Sequence, residues 1–568
     1  MPLLSSRQLL KQKTAMERAL LRLLVQLDRL GSHRYLCVIG VGVAVVLLRL
    51  ALLPFLPIPH AWMGDEFSYL LGADTFASGR LTNPTPPLWR SFEALHVIMQ
   101  PTYMSKYPPG QSAFLAVGQV VFGHPYWGVV LGMALFCAAV CWMLQIFVPP
   151  GWTVVAAALT FAVFGVNYYW MESYWGGGLA AFGGCLITGS AFRILRKSAP
   201  RYFVLLALGI VVVFFTRPFE GGVFSIAVLV ALGVYLWQIG RHKLLRQLIV
   251  TALGVVAITA SLQAYYDWRV TGSPLTMPYL VHERIYTAVP TFWFQPLKTD
   301  IERPSDPVLA GNHWYWELSN YQEVRAIPAW RRLATMIRRE VGLIPQLLGA
   351  IATALWLIPV FWRDFRIRFL CYIALPVVFF SSLAVYAHTH YIAPAIPAII
   401  ALIFVVIHKV RVLRVPSGAR VGTWMAGVAL IVIAGVMLEN LRPNRRLQGF
   451  GITPGAAQQT VPDEVARAAA ERDALDAKLK SSGKKHLIFV RYSRNHEPAP
   501  DWVHNGANIP AEAVIWARDR GPIENRAVIS YYRNREVWLL KAENRSYSLG
   551  PYTADDESAA TTNQNTSR

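Results

Sequence analysis

The stretch IGVGVAVVLLRLALLPFLPIPHAWMGDE (residues 39–66) leads from an apolar run directly into two adjacent carboxylates. Residues 39–55 are almost wholly apolar, and a run of about twenty such residues spans a bilayer as a helix. Three prolines then break the helix before Asp65 and Glu66. Carboxylates at a membrane exit are costly near lipid, so they need a partner, a metal ion or a proton-transfer role. The stretch therefore predicts a membrane protein with an acidic functional site in its first loop.

The composition predicts a polytopic membrane protein. Hydrophobic residues make up 54% of the 568 positions and charged residues 15%, whereas soluble proteins are about a quarter charged. The net charge is +21, but Lys and Arg are concentrated in short segments between apolar runs. This is the positive-inside pattern of membrane proteins, so we expect no nucleic-acid partner.

Hydropathy predicts about eleven transmembrane helices. The predicted spans are 36–57, 126–148, 152–170, 178–195, 202–216, 219–238, 247–265, 341–362, 369–387, 391–408 and 421–438. The short basic loops all fall on one side of this arrangement, together with the N-terminus, and that side is normally cytoplasmic. Residues 1–34 are therefore expected to be a basic cytoplasmic lead, and the C-terminus is expected outside the cytoplasm.

Three polar elements remain for the outer side: loop 58–125, loop 266–340 and the C-terminal tail. In the first loop we predict an amphipathic helix over residues 65–78 and an interfacial helix over residues 112–122. The sequence of the tail predicts a small α/β domain over residues 439–552 and a disordered segment over residues 553–568. Within that domain the predicted elements are strands 486–492, 513–517 and 536–541 and helices 463–480 and 525–532.

A set of short motifs gives the chain a family resemblance. In order along the chain they are the first span, Asp65-Glu66, Tyr69, Gly79-Arg80 and Lys106-Tyr107-Pro108-Pro109 ahead of the interfacial helix. This order resembles the GT-C glycosyltransferases, in particular the bacterial branch near the protein O-mannosyltransferases and the aminoarabinose transferases that act on lipid A. The resemblance implies a GT-C-like fold, with a polytopic α-helical domain over residues 35–438 and an extracytoplasmic α/β domain. It also implies a place in the bacterial inner membrane.

The resemblance also implies a reaction. Such enzymes move a sugar from a polyprenyl-phosphate-linked donor to a glycan, lipid or protein acceptor, among membrane lipids and outside the cytoplasm. By resemblance Asp65 is the general base that takes the acceptor proton, and Glu66 positions the acceptor or a divalent metal ion. Glycosyl transfer does need a carboxylate for this proton. The structural alternative is that Asp65 only caps the helix that follows it.

Two basic residues are candidates for holding the phosphate of the donor. Lys106 precedes Tyr107 and a Pro-Pro pair, where relatives carry a basic residue near the lipid phosphate; a snorkelling interfacial lysine is the alternative. Arg217 lies at a turn between two spans and can grip a phosphate with two hydrogen bonds. The alternative for Arg217 is an ion pair with Glu220.

Further candidates lie in the other outer segments. Glu172 and Trp175 belong to an aromatic segment next to three glycines, which resembles a sugar-binding edge or, alternatively, an aromatic belt. His388 and His390 form a His-x-His pair that can help to hold a phosphate, or a divalent metal together with Glu66. His282 is a candidate contact for the acceptor.

Two other function classes compete with the transferase. A transporter or flippase of a lipid-linked saccharide would show inverted repeats and charges deep in several spans, whereas this chain concentrates its acids in one early loop. An O-antigen-ligase-like enzyme would use arginines of a large late outer loop. The 266–340 loop has such residues, namely Arg284, Arg303, Arg325, Arg331 and Arg332.

Overall fold

The computed structural model describes most of the chain. The described residues are 15–341, 358–412 and 463–553, except 167, 387, 495, 498, 500 and 545, together with 428, 431 and 435. The predicted spans at 341–362 and 421–438 lie largely outside this part. Residues 1–14 of the basic lead, 439–462 of the predicted C-terminal domain and 554–568 of the predicted disordered tail also lie outside it.

Helices dominate the first 412 residues. They are α1 Ala15–Ser32, α2 Arg34–Leu52, α3 Gly64–Ala77, α4 Pro109–Phe122, α5 Tyr126–Leu144, α6 Pro150–Phe164, α7 Gly178–Lys197, α8 Pro200–Thr216, α9 Pro218–Gln238, α10 His242–Thr271, α11 Pro278–Tyr286, α12 Pro307–Ala310, α13 Glu317–Ala326, α14 Ala329–Val341, α15 Phe365–Ser381 and α16 Ile396–Val412. Five of them, α2, α5, α7, α9 and α10, are long and apolar enough to cross a membrane. Each predicted span within the described residues overlaps one helix. These helices are α2, α5, α6, α7, α8, α9, α10, α15 and α16.

Prolines begin several of the apolar helices. Pro150, Pro200 and Pro218 each stand in the first turn of their helix, where a missing N–H costs nothing because that donor has no partner inside the helix. Prolines thus separate the apolar runs and place the turns between them.

Helix α3 differs from its prediction. It covers the expected residues, but it is buried on several faces instead of one, with Ser68, Tyr69, Leu71 and Thr75 all buried. The reason is that α4 packs on one side of it and the tail on another: the Phe67 ring stacks on His504 with ring centroids 3.6 Å apart. The prediction of an amphipathic helix with one wet face was therefore wrong.

A small sheet follows α3 in the first polar loop. Its strands β1 Asn83–Pro84, β2 Val97–Ile98 and β3 Thr102–Ser105 pair in the order β1-β3-β2. Antiparallel pairing of Val97 with Ser105 brings the residue before β2, His96, next to the residue after β3, Lys106. The sheet thereby carries two charged or titratable side chains to the start of α3.

The C-terminal part contains a four-stranded sheet in the order β5-β4-β6-β7. Strands β4 His486–Tyr492, β5 Val514–Arg518 and β6 Glu536–Ala542 are parallel, β7 Tyr547–Pro551 is antiparallel, and helices α17 Asp463–Ser481 and α18 Pro522–Tyr531 accompany them. Strands β4, β5 and β6 and both helices overlap segments predicted from the sequence, whereas β7 was not predicted. The central strand β4 is apolar on both faces and nearly all of its residues are buried, as expected for a strand with neighbours on both edges.

One buried arginine connects this sheet to both long outer loops. The Arg518 guanidinium, which is 1% exposed, donates to Asp501 and to Asp306 at 2.8 Å each. It also donates to the carbonyl oxygen of Glu93 at 2.7 Å. Asp306 belongs to the second outer loop and Glu93 to the first. Arg518 therefore clamps three segments that are far apart in the chain.

We expect Arg518→Met to destabilise this connection by about 3–5 kcal/mol, because it leaves two buried carboxylates without a cation. Hydrogen–deuterium exchange of the β4, β5 and β6 amides measures the loss. Arg533→Met is the matched control: Arg533 is exposed and donates to the Ser530 carbonyl at 2.9 Å, so about 0.5 kcal/mol or less is expected. Equal exchange in the two variants would contradict the clamp.

Candidate active site

Glu66 is a buried carboxylate that bonds to the backbone. One oxygen accepts from the N–H groups of Trp62 at 3.0 Å and Met63 at 3.3 Å, and the other accepts from Tyr174 N–H at 3.2 Å. Burial raises the pKa of Glu66 to about 7, although these three hydrogen bonds act in the opposite direction. The helix-capping role that the sequence offered as an alternative for Asp65 therefore belongs to Glu66, three residues after the N-cap Met63.

Asp65 faces away from the backbone that Glu66 binds. Its carboxylate accepts a hydrogen bond from the Tyr107 hydroxyl, and its other oxygen lies 3.6 Å from Nε2 of His96. Burial would raise the pKa of Asp65, but His96, Lys106 and the Tyr107 hydroxyl together hold it below its usual value. Asp65 is thus ionised at neutral pH and partly accessible, with a side chain that is 21% exposed. An ionised carboxylate in such a place can accept a proton.

His96 is a neighbour of Asp65 that sequence reasoning missed. Its backbone adopts a φ of 62°, which is uncommon for a residue with a side chain. The conformation is held because the His96 carbonyl accepts from Ser68 Oγ at 2.6 Å and from the Lys106 N–H at 3.2 Å. Burial and the Lys106 cation lower the pKa of His96 to about 3, so the ring is neutral. No motif in the sequence marks this histidine, since its position results from the pairing of β2 with β3.

Lys106 is buried and surrounded by aromatic rings. Its ammonium lies 5.2 Å from the ring centroids of both Tyr107 and Tyr279, distances typical of cation–π contacts. Burial lowers the pKa of Lys106 below its usual value. Among the described residues, no carboxylate lies within ion-pair distance of it. The site thus holds a lysine whose charge the protein leaves available to an anion.

Gly110 lets the Lys106 motif approach Arg217. A Cβ at Gly110 would lie 2.7 Å from the carbonyl oxygen of Phe215, so only glycine allows α4 to start against the end of α8. Arg217 stands at the turn between α8 and α9, 5.3 Å from the Tyr391 ring centroid. In the part of the chain that the structure describes, no carboxylate lies within ion-pair distance of Arg217. The charge of Glu220 still acts on it, so the predicted pair is present only as a longer-range attraction.

Tyr69 connects Arg217 with Asp65. Its ring stacks on the Tyr107 ring, with centroids 4.5 Å apart. Burial raises the pKa of Tyr69 to about 12, with Arg217 lowering it and Asp65 raising it. Both charges therefore act on this one phenol, and the structure brings together four of the predicted site residues: Asp65, Lys106, Tyr107 and Arg217.

A second group of predicted residues meets beside Arg217. The Trp175 ring lies 4.8 Å from the His390 ring and 6.0 Å from the His388 ring, measured between centroids. The two histidine rings stack on each other at 5.3 Å. Burial and the charge of Arg217 lower the pKa of His390 well below its usual value. The predicted Trp175, His388 and His390 thus form a cluster of rings next to the turn that carries Arg217.

Glu172 forms an ion pair with Arg49, away from the residues around Asp65 and His390. Its carboxylate lies 3.3 Å from the guanidinium of Arg49, which also donates to the Tyr126 hydroxyl and to the Pro57 carbonyl. Arg49 is fully buried. Glu172 therefore ties the end of α2 to the aromatic segment, and no contact places it at Asp65.

His282 joins a cluster of histidines on the other side of Lys106. Its ring centroid lies 5.8 Å from that of His96 and 5.5 Å from that of His313. His313 in turn lies 3.0 Å from Glu317. Sequence reasoning found His282 but missed His313 and Glu317, because they come from a distant part of the second loop.

The predicted metal ion has no ready set of ligands. The described residues contain no group of three or more His, Cys, Asp and Glu side chains placed to hold an ion. Both Glu66 oxygens are occupied by backbone N–H groups, and His390 Nδ1 lies 3.0 Å from the Tyr169 hydroxyl. Glu66 and His390 therefore do not direct free ligand atoms at one common position, and the metal ion stays a prediction.

We expect the stability of the protein to fall as pH rises from about 5 to 7, to an extent that depends on Glu66. A carboxyl with a raised pKa binds more protons in the folded than in the unfolded state over this range, so folding is favoured at the lower pH. The melting temperature of wild type in nanodiscs should therefore fall between pH 5 and pH 7 relative to that of Glu66→Gln, whose amide does not titrate. Parallel melting curves across the range would contradict the role given to Glu66.

Comparisons with known proteins found similar solved structures at low sequence identity. No family model and no curated protein matches the chain. Among solved structures, the chain is similar to ArnT from Cupriavidus metallidurans bound to undecaprenyl phosphate, with 14% identity, a TM-score of 0.46 and coverage of 89% of this chain and 93% of that one. For the same protein in the apo state the identity is 15%, the TM-score 0.45 and the coverage again 89% and 93%.

The chain is also similar to a second solved protein. It is the Archaeoglobus fulgidus oligosaccharyltransferase tethered with an acceptor peptide containing the NVT sequon, with 11% identity, a TM-score of 0.43 and coverage of 89% of this chain and 69% of that one.

Proposed function

We propose that this protein is a membrane glycosyltransferase that moves a sugar from a polyprenyl-phosphate-linked donor to an acceptor on the extracytoplasmic face of a bacterial plasma membrane. One observation carries the proposal. An ionised, partly accessible carboxylate, Asp65, shares an aromatic site with two cations, Lys106 and Arg217, that have no carboxylate partner among the described residues. A base beside unpaired cations suits a reaction in which a proton is taken and a phosphate leaves.

The proposed step forms one bond and breaks another. The acceptor hydroxyl or amine attacks the anomeric carbon of the donor sugar, and the bond from that carbon to the phosphate oxygen breaks. The acceptor proton passes to Asp65, and the electron pair of the broken bond leaves with the polyprenyl phosphate. The Tyr107 hydroxyl donates to one carboxylate oxygen, and the other oxygen, 3.6 Å from His96 Nε2, is the one that takes the proton in this proposal.

The cations act on the leaving phosphate. Negative charge builds up on that phosphate in the transition state, and fixed cations in a site of low polarity stabilise it. Arg217 offers a planar donor pair and Lys106 a point charge. The rings of Tyr69, Tyr107 and Trp175 offer flat apolar faces for the sugar and for the first isoprene units.

The ligase-like alternative is weakened by the contacts of the second-loop arginines. Arg332 donates to the carbonyls of Arg325 and Ile327 and lies over the Trp293 ring, while Arg325 donates to the Tyr321 hydroxyl. These guanidinium groups stabilise the loop itself. The charges free to meet a phosphate are instead those beside Asp65.

We expect Asp65→Asn to lower transfer from polyprenyl-phosphate sugars by roughly 10²–10⁴-fold, because the amide cannot take the acceptor proton. Release of polyprenyl phosphate by protein in nanodiscs measures the rate for a panel of donors. Asp300→Asn is the matched control; Asp300 is an exposed carboxylate in the 266–340 loop. A wild type that is silent with every donor, or an active Asp65→Asn, would overturn the proposal.

Arg217→Gln is expected to raise the KM for the donor by about tenfold or more, since a charge-assisted hydrogen bond to phosphate is lost. Arg269→Gln removes the same charge from an exposed residue that contacts Tyr265 and serves as its control. Equal KM values for Arg217→Gln and Arg269→Gln would remove Arg217 from the donor site.

A further inference from the structure

A cleft lies between the beginnings of α8 and α10, at the opposite ends of these helices from the candidate active site. Its volume is about 400 Å³, and its lining includes Phe203 of α8 and Lys243, Arg246, Gln247, Val250 and Thr251 of α10. Arg217 follows the last residue of α8, and Pro200 begins it. At 1.5 Å per residue the cleft is therefore about 25 Å from the turn that carries Arg217.

The α10 residues of the cleft change in character along the helix. Lys243, Arg246, Gln247, Val250 and Thr251 recur at the three- and four-residue spacing of one helical face. The charged residues stand at the helix start, and polar and apolar residues follow. Beyond them α10 exposes Leu253 and Ile258, which are 65% and 58% exposed. Along the helix, this face is first cationic, then polar and then apolar. An anionic phospholipid has the matching order of groups, from the phosphate through the polar ester region to the apolar acyl chains.

The α8 side supplies an apolar wall to the same cleft. Phe203 lines it, and the neighbouring Val204 and Leu208 are exposed, at 66% and 45%. An acyl chain leaving the cleft would therefore meet apolar side chains of both helices. A soluble anion would gain nothing from these side chains, so the lining favours an amphiphile.

The two cations of the cleft are not neutralised by the protein. No carboxylate of the described residues lies within ion-pair distance of Lys243 or Arg246. Other basic groups stand nearby in the chain, and Arg241 donates to the Leu195 carbonyl at 2.8 Å, which ties it to α7. Basic pockets between membrane helices bind the head groups of anionic lipids.

We propose that this cleft binds one anionic phospholipid, with its phosphate on Lys243 and Arg246 and an acyl chain along Phe203 and Val250. The site is separate from the transfer site and does not rest on the proposed function. Gln247 stands about one turn beyond Lys243, and Thr251 about one turn beyond Gln247. These two side chains meet the polar ester region of the lipid.

The experiment uses the full-length protein with phosphatidylglycerol and phosphatidylcholine as probes. Nanodiscs of equal amounts of the two lipids are dissolved, and the lipids retained by the protein are counted by native mass spectrometry. We expect wild type to keep one phosphatidylglycerol in preference to phosphatidylcholine. Lys243→Gln with Arg246→Gln should lower this retention by about tenfold or more, since each surface cation contributes measurably to anionic-lipid binding.

The matched control removes the same charge from a nearby helix end. Arg196→Gln with Lys197→Gln alters two basic residues in the last turn of α7 that do not line the cleft, and it should leave retention unchanged. Equal losses in the two pairs would overturn the proposal in favour of a general attraction between basic loops and an anionic surface. Equal retention of the two lipids by wild type would overturn it as well, and so would displacement of phosphatidylglycerol by equimolar polyprenyl phosphate.

Discussion

The position of the site depends on the buried carboxylate of Glu66. It accepts N–H groups from the chain entering α3 and from Tyr174 of the aromatic segment, and so joins two parts of the molecule that are more than a hundred residues apart in sequence. Successive residues of a helix point about 100° apart. With Glu66 directed at the backbone, Asp65 is directed at Tyr107 and His96. Glu66 thus has a structural role, and Asp65 is the candidate for the chemistry. Their pKa values differ accordingly. Burial raises the pKa of Glu66 to about 7, whereas neighbouring groups hold the pKa of Asp65 below its usual value despite burial.

The outer segments support this arrangement by interlocking. Arg518 of the C-terminal sheet holds the Glu93 carbonyl and Asp306, and these residues lead into the segments that carry His96 and His313. The tail also contacts α3 directly, where the Ala507 N–H donates to Asp74. The C-terminal sheet is therefore part of the support of the candidate site, and changes in it should reach Asp65 through the first loop. Sequence analysis placed the tail on the same side as the site but offered no contact between them.

Several local predictions agree with the structure because their signals are local. Long apolar runs depend only on neighbouring residues, and the described apolar helices overlap the predicted spans. Strands β4, β5 and β6 likewise overlap predicted segments. The amphipathic prediction for α3 was wrong for the same reason: a pattern within fourteen residues does not reveal that α4 and the tail cover the remaining faces. Asp65 and Glu66 look equivalent in the sequence, and only the position of the Tyr174 N–H distinguishes them.

The sequence by itself determined that the chain is a membrane protein, which acidic pair stands at the exit of its first apolar helix, and which basic residues are candidates for a phosphate. Hydropathy and charge decide these properties residue by residue. Only the tertiary structure decided which candidates meet. It brought Arg217 to Tyr69 through the close approach that Gly110 allows, placed His96 against Asp65 through strand pairing, and assigned Glu172 to Arg49. These contacts join residues from distant parts of the chain, and their geometry depends on packing that no short stretch of sequence contains.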